Sequence, residues 1–149
     1  MTDSFRSSAG RKVVSRATAH QLGTVSHLLL SADCRHVAAV ILGKGKKASV
    51  VDWPQLTFGA DAVMVNDEAA LRKPADGREQ AAADGKIELL GRRILSETGN
   101  ELGTVADVIF DPATGAVELV DAGHRNVPAG SILGAGSYAI VVAANQDLA

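Results

Sequence analysis

Two stretches of this chain repeat one another. A repeat limits the fold more than any bulk property, because both copies should take the same form. Gln21-Leu22-Gly23-Thr24-Val25 recurs eighty positions later as Glu101-Leu102-Gly103-Thr104-Val105, and the register runs without gaps to Gly43 and Gly123. Leu28-Leu29-Leu30 matches Val108-Ile109-Phe110, Val37 matches Val117, and Val40 matches Val120. Val51…Leu56 then aligns with Val127…Ile132 after a deletion, and Gly59–Val65 aligns with Gly136–Val142. The repeated cores run from about residue 13 to 65 and from 94 to 142.

Each copy reads as β-structure: short runs rich in β-branched residues, bounded by turn residues. Asp111-Pro112-Ala113-Thr114-Gly115 separates two such runs. Pro112 presets φ for the first turn position and Gly115 can take a positive φ, which predicts a hairpin. Thr98-Gly99-Asn100 makes a second turn. In the first copy Ala32-Asp33-Cys34-Arg35 replaces the Pro/Gly loop with weaker turn chemistry. Lys44–Lys47 turns the chain into Ala48–Val51, and Pro54 and Pro128 mark a break or an edge, since proline cannot donate to a ladder. Small antiparallel sheets of this kind curl into a barrel to cover their edges. The expected fold is all-β: two tandem, small, partly open antiparallel barrels.

The domain boundaries follow. Residues 1–11 are expected to be a disordered N-terminus, 12–66 the first repeat, 67–86 a linker, and 87–149 the second repeat. Asp67–Leu71 and Glu79–Ala83 are helix-prone, while Pro74 and Gly77 prevent a long helix.

A copy of roughly 60 residues buries only about 60% of its unfolded surface and is marginal alone. Aromatic residues are only 3% of the chain, so aliphatic side chains must fill the core. Extra burial is needed from a neighbour. Residues 12–66 carry six lysines and arginines against three acids, net +3, and residues 87–149 carry three arginines against eight acids, net −5. Those opposed charges favour docking of unlike repeats, with Leu71 of the linker sealing the seam, and are compatible with a homodimer. The single cysteine, Cys34, excludes an intramolecular disulfide and fits a reducing cytoplasm. Apolar runs of five or six residues, such as Val37–Leu42, fall short of the roughly 20 that span a membrane. The first residues lack the apolar stretch of a signal peptide.

The run from Leu90-Gly91-Arg92-Arg93 through Glu101-Leu102-Gly103-Thr104-Val105-Ala106-Asp107 to Asp111-Pro112-Ala113-Thr114-Gly115 resembles the opening of a PRC-barrel domain. Val127-Pro128 and Gly136–Val142 resemble that domain's last strands. The first copy departs from the pattern: His27 stands where Asp107 does, and no glycine occupies its hairpin. PRC-barrels occur in the cytoplasmic part of the photosynthetic reaction centre H subunit. They also occur in the C-terminal half of a ribosome maturation factor and in many small bacterial and archaeal proteins of unknown role. The resemblance implies protein binding without catalysis. The membrane helix of the first and the extra N-terminal domain of the second have no counterpart here, which disfavours both specific functions.

Residue chemistry points the same way. His20, His27, His36 and His124 lack the close spacing of zinc ligands. Asp107, Asp111 and Asp121 do not match a calcium loop, and Asp111 suits an Asx turn. Cys34 has Asp33, Arg35 and His36 beside it, but neighbours within a tight turn rarely converge on one sulfur. The glycines form no phosphate or dinucleotide loop. No metal, cofactor or catalytic set is expected. The most suggestive surface feature is the basic loop Lys44, Lys46 and Lys47, with Trp53 the nearby aromatic; these four are the candidate partner contacts. The expected function is a non-enzymatic cytoplasmic adaptor or scaffold for protein partners. The alternative is a ribosome- or RNA-associated assembly factor that uses the basic loop.

Overall fold

The structure, a computed structural model, describes residues 2–136 and 138–148. The expectations for Met1 in the N-terminal segment, and for Ser137 and Ala149 in the second repeat, lie outside the described residues.

The β-branched runs become strands where the sequence alternates. A two-residue strand β1 (Asp3–Ser4) and a one-turn helix α1 (Phe5–Ser8) precede the first unit. That unit holds β2 (Lys12–Ser15), β3 (Gln21–Leu30), β4 (Val37–Leu42), β5 (Ser49–Asp52), β6 (Leu56–Phe58) and β7 (Ala62–Val65). Helix α2 (Gly77–Ala83) lies in the linker. The second unit holds β8 (Arg93–Ser96), β9 (Glu101–Thr104), β10 (Asp107–Phe110), β11 (Val117–Asp121), β12 (Asn126–Pro128), β13 (Ile132–Ala135) and β14 (Ala139–Val142). The alternation sorts side chains alike in both units. Val13 and Ile94 are wholly buried, and Ser15 and Ser96 are buried two residues on.

The pairings recur. β2 pairs antiparallel with β3 and parallel with β7, as β8 does with β9 and β14. β3–β4–β5 corresponds to β10–β11–β12, and β6–β7 to β13–β14. One pair in each unit is therefore parallel, a refinement of the antiparallel expectation. The directions explain it. β4 and β7 both run with β2, β5 runs against β4, and β6 runs against β7, so β5 and β6 run the same way. The 3₁₀ turn Trp53–Gln55 between them bends the chain without reversing it. In the first unit the sheet order is β5-β4-β3-β2-β7-β6. Its two end strands are joined by three residues, so the sheet must curl into a half-barrel. The second unit differs because Val105-Ala106 interrupts its long strand, which divides the strands into two four-stranded sheets.

The disorder expected of residues 1–11 does not hold for Asp3–Ser8. Asp3 and Ser4 pair with Phe110 and Ile109 of β10, more than a hundred residues away. Phe5 is buried against Phe110, with ring centroids 6.0 Å apart. Ser4 caps α1 by accepting from the Ser7 amide. The segment is polar in composition, yet one buried ring and a strand pairing hold it down.

The two units share one core. Val13, Val40, Val51 and Val63 of the first belong to the same buried cluster as Ile94, Phe110, Val120 and Ile140 of the second. Leu71 is half-buried against it. Phe58 meets Phe110 edge-on at 5.4 Å, and Trp53 stacks on Phe58 at 5.6 Å. The backbone joins as well. His36 bridges Ala116, Val37 N–H donates to Gly115 O, and Val117 N–H donates to Arg35 O, each at 2.8 Å. Positions eighty apart thus bond each other reciprocally, as about a local two-fold axis. Among the described residues no helix is long and apolar enough to cross a membrane.

Turn chemistry shows where the copies diverge. Gly115 takes φ +80° as expected, whereas in the first hairpin Cys34 takes φ +59°, one position earlier in the register. Gly115 has a second constraint, since a Cβ there would lie 2.9 Å from Trp53 Cε2 across the seam. Gly115→Ala should therefore cost about 1 kcal/mol of backbone strain plus about 1–3 kcal/mol of overpacking. Gly99, at φ +93° with open space around it, should show only the first cost as Gly99→Ala. Urea denaturation of both variants checks this; equal losses would mean that Trp53 yields freely.

Candidate functional site

The four residues singled out in the sequence do not form one site. Lys44, Lys46 and Lys47 are exposed on the turn that ends in the 3₁₀ segment Gly45–Lys47. Trp53 follows the far end of β5, so the whole strand separates it from them, roughly 13 Å at about 3.3 Å per residue. Trp53 is half-buried in the aromatic stack, beside a cleft lined by Leu56, Thr57, Pro112 and Ala113. His20, His36 and His124 are exposed on separate loops. Asp111 accepts from the Ala113 amide at 2.8 Å, the expected Asx turn, and Asp121 does the same for Gly123. Asp107 accepts from the Val108 amide and from the Arg6 amide of α1.

A different place gathers chemistry: a groove of about 290 Å³ beside the C-terminal half of β3. Its origin lies in the strand. The first half of β3 pairs with β2, and Val25 then exchanges backbone bonds with Gly10 and Arg11. Beyond Val25, β3 keeps β4 on one side, but among the described residues no strand lies on its other side. Instead the Arg78 guanidinium donates to the Leu30 carbonyl, satisfying an edge acceptor with a side chain.

The linker builds the opposite wall. Asp76 caps α2 by accepting from the Glu79 amide, and Gly85, at φ +77°, stops the helix. Ala82 and Ala83 bury themselves on Leu29, Ala39, Ile41 and Val50, the outer face of the first unit. Arg72 anchors this wall. Its backbone exchanges two bonds with Val50 on the edge of β5, and its guanidinium holds Asp52 at 2.8 Å and Glu79 at 2.7 Å. The Arg72 bonds bring the Glu79 carboxyl down to about 2.

The groove has an apolar floor of Leu28, Leu30, Ile87 and Leu89 and a polar rim. His27 Nδ1 lies 2.8 Å from Glu88 Oε2. That hydrogen bond holds the Glu88 carboxyl below the usual glutamate range, although burial opposes it. Arg92 donates to Gly136 O at 2.6 Å and to Glu88 O at 2.8 Å. Among the described residues neither Arg78 nor Arg92 forms an ion pair with a carboxylate. Two guanidiniums against one carboxylate leave the rim with an excess of positive charge. Cys34 also borders the groove, and burial pushes its thiol up, away from the reactive thiolate. Such a surface can hold an apolar side chain, an extended backbone and an anionic group together.

Sequence reasoning missed Arg78, Glu88 and Arg92. One signal for Arg92 is present: Gly10-Arg11 recurs as Gly91-Arg92 just before the first strand of each unit.

Compared with known families, residues 87–143 match the family model of the PRC-barrel domain. No curated protein matches the chain.

The Arg72 clamp gives a pH signature. Glu79 is depressed from an ordinary 4.5 to about 2, so its contribution to stability is full above about pH 4.5 and is lost as pH falls through about 2. Arg72→Ala should destabilise the fold at pH 7 and progressively less towards pH 2, with the Glu79 titration moving up towards 4.5. Carboxyl NMR titration and denaturation at several pH values check this; a Glu79 titration unmoved by the substitution would contradict it.

Proposed function

Starting from a PRC-barrel domain over residues 87–143, we propose that the chain is a non-enzymatic cytoplasmic adaptor. It combines that domain with a diverged copy of it at residues 12–66, and it receives a protein partner in the groove beside β3. The recurrence of every strand pairing between the units supports the second copy. The observation that carries the binding role is the groove itself. It joins an unpaired strand edge, an apolar floor and guanidiniums with no carboxylate partner among the described residues. These are the elements of peptide recognition by a sheet edge.

The ribosome- or RNA-associated alternative rests on Lys44, Lys46 and Lys47. With Trp53 at the other end of β5, those lysines lack an adjoining aromatic platform for bases.

Affinity capture from native cell extract separates the two readings. Ala135 is exposed on β13 at the rim of the groove, so Ala135→Trp plugs the groove without touching the core. The full chain should retain a protein partner that Ala135→Trp loses, while exchange of the three lysines for glutamate leaves retention unchanged. Retention that survives the plug but is lost with the lysines, together with salt-sensitive co-sedimentation with ribosomes, would replace the adaptor with the alternative.

A further inference from the structure

The local two-fold axis lets one unit indicate what the other accepts. On the second unit, the outer edge of β10 is covered by β1, with Asp3 opposite Phe110 and Ser4 opposite Ile109. Helix α1 follows and packs on β10. Gly10-Arg11 comes next: Gly10 N–H donates to the Val25 carbonyl, and the Arg11 carbonyl accepts from the Val25 amide. The linker repeats this order. Helix α2 packs on β3, and Gly91-Arg92 leads into the second unit, where Gly91 N–H donates to the Val105 carbonyl and the Arg92 carbonyl accepts from the Val105 amide.

The side chains correspond too. Arg11 donates to Gly59 O at 2.9 Å, and Arg92 donates to Gly136 O at 2.6 Å; Gly59 and Gly136 are matching positions of the repeat. Arg11, however, also grips the Asp3 carboxylate, with bonds of 2.6 and 3.2 Å. Burial would raise that carboxyl, but hydrogen bonds from Arg11, Ser7 and the Ser4 amide outweigh it and hold it below the ordinary range. Arg92 has no such carboxylate among the described residues. Among the described residues β3 has no counterpart of β1, and the chain ahead of α2 is used elsewhere: Arg72 pairs with Val50 on the edge of β5. The positions matching Ile109 and Phe110 are Leu29 and Leu30, and both line the groove.

We propose that the groove is a strand-acceptor site for a partner protein: it takes a short extended segment, antiparallel to Leu29–Leu30, that places an aspartate on Arg92. This deepens the adaptor reading and rests on it. Backbone pairing along β3 supplies attachment that any extended segment can use, and the bidentate aspartate contact supplies selectivity. The incoming backbone takes over the Leu30 carbonyl from Arg78, whose released guanidinium adds to the positive rim. Ile87 and Leu89 receive an apolar residue that follows the aspartate, as Phe110 receives Phe5 after Asp3.

The chain's own N-terminus supplies the probe. An acetylated peptide with the sequence of residues 2–8, Thr-Asp-Ser-Phe-Arg-Ser-Ser, is titrated into the ¹⁵N-labelled full chain. The expected result is saturable shifts at Leu28–Leu30 and Arg92. Binding should weaken about tenfold or more, the effect of roughly one charge-assisted contact, with the peptide's Asp3→Asn form and with the protein's Arg92→Gln form. The peptide substitution tests the contact even if the protein variant fails to fold. Equal binding by the asparagine peptide, shifts confined to β10, or no shifts at millimolar peptide would each overturn the proposal. So would concentration-dependent shifts at Leu28–Leu30 without peptide, which would give the edge to a second copy. A cellular partner lost on Ala135→Trp but indifferent to Arg92→Gln would overturn the acidic strand and leave the adaptor reading standing.

Discussion

Phe110 is the contact on which both units depend. Its ring receives Phe5 at 6.0 Å, Phe58 at 5.4 Å and Trp53 at 6.3 Å, each edge to face. Four of the five aromatic residues in the chain therefore meet at one point, drawn from the N-terminal segment and both units. A single unit of about 55 residues would bury too little surface to be secure. The shared ring cluster turns two marginal cores into one. The reciprocal bonds around His36 and Ala116 fix the angle at which they meet.

The symmetry is broken in its use. One copy has its outer strand edge covered by β1, and the other keeps a groove. The difference traces to a few residues ahead of each helix. Asp3 and Ser4 are free to extend along β10. The corresponding stretch ahead of α2 begins with Arg72, whose backbone joins β5 and whose guanidinium bridges Asp52 and Glu79. Sealing the edge of β5 leaves the edge of β3 available.

Much of the fold was legible because its signals are local or repeated. The eighty-residue register, the Asp111–Gly115 turn and the alternation in β2, β7, β8 and β14 each depend on neighbours in sequence. The order of residues 3–8 was not legible. Its cause is a partner strand more than a hundred residues away, and only Phe5 hints at burial in a polar stretch. The parallel closing pair was hidden for a similar reason, since the Trp53–Gln55 bend does not announce that the chain keeps its direction. The candidate site was least legible. Lys44–Lys47 stand out as a charge run but have no shared geometry with Trp53. Arg78, Glu88 and Arg92 look like ordinary surface charges until the strand edge of β3 is seen between them. The doubled Gly-Arg pair gains meaning only when Arg11 is found holding Asp3.

The docking of the first strand onto β10 has a consequence for how the protein is made. Residues 3–8 are synthesised ahead of their pairing partners, Ile109 and Phe110, which follow about a hundred residues later. At roughly 5–20 residues per second that is a delay of about 5–20 s. Through this interval Phe5 has no ring to pack against, and the first unit waits without its shared core. The strand pairing of Asp3 and Ser4 and the seat of Phe5 are therefore completed only once β10 has been made.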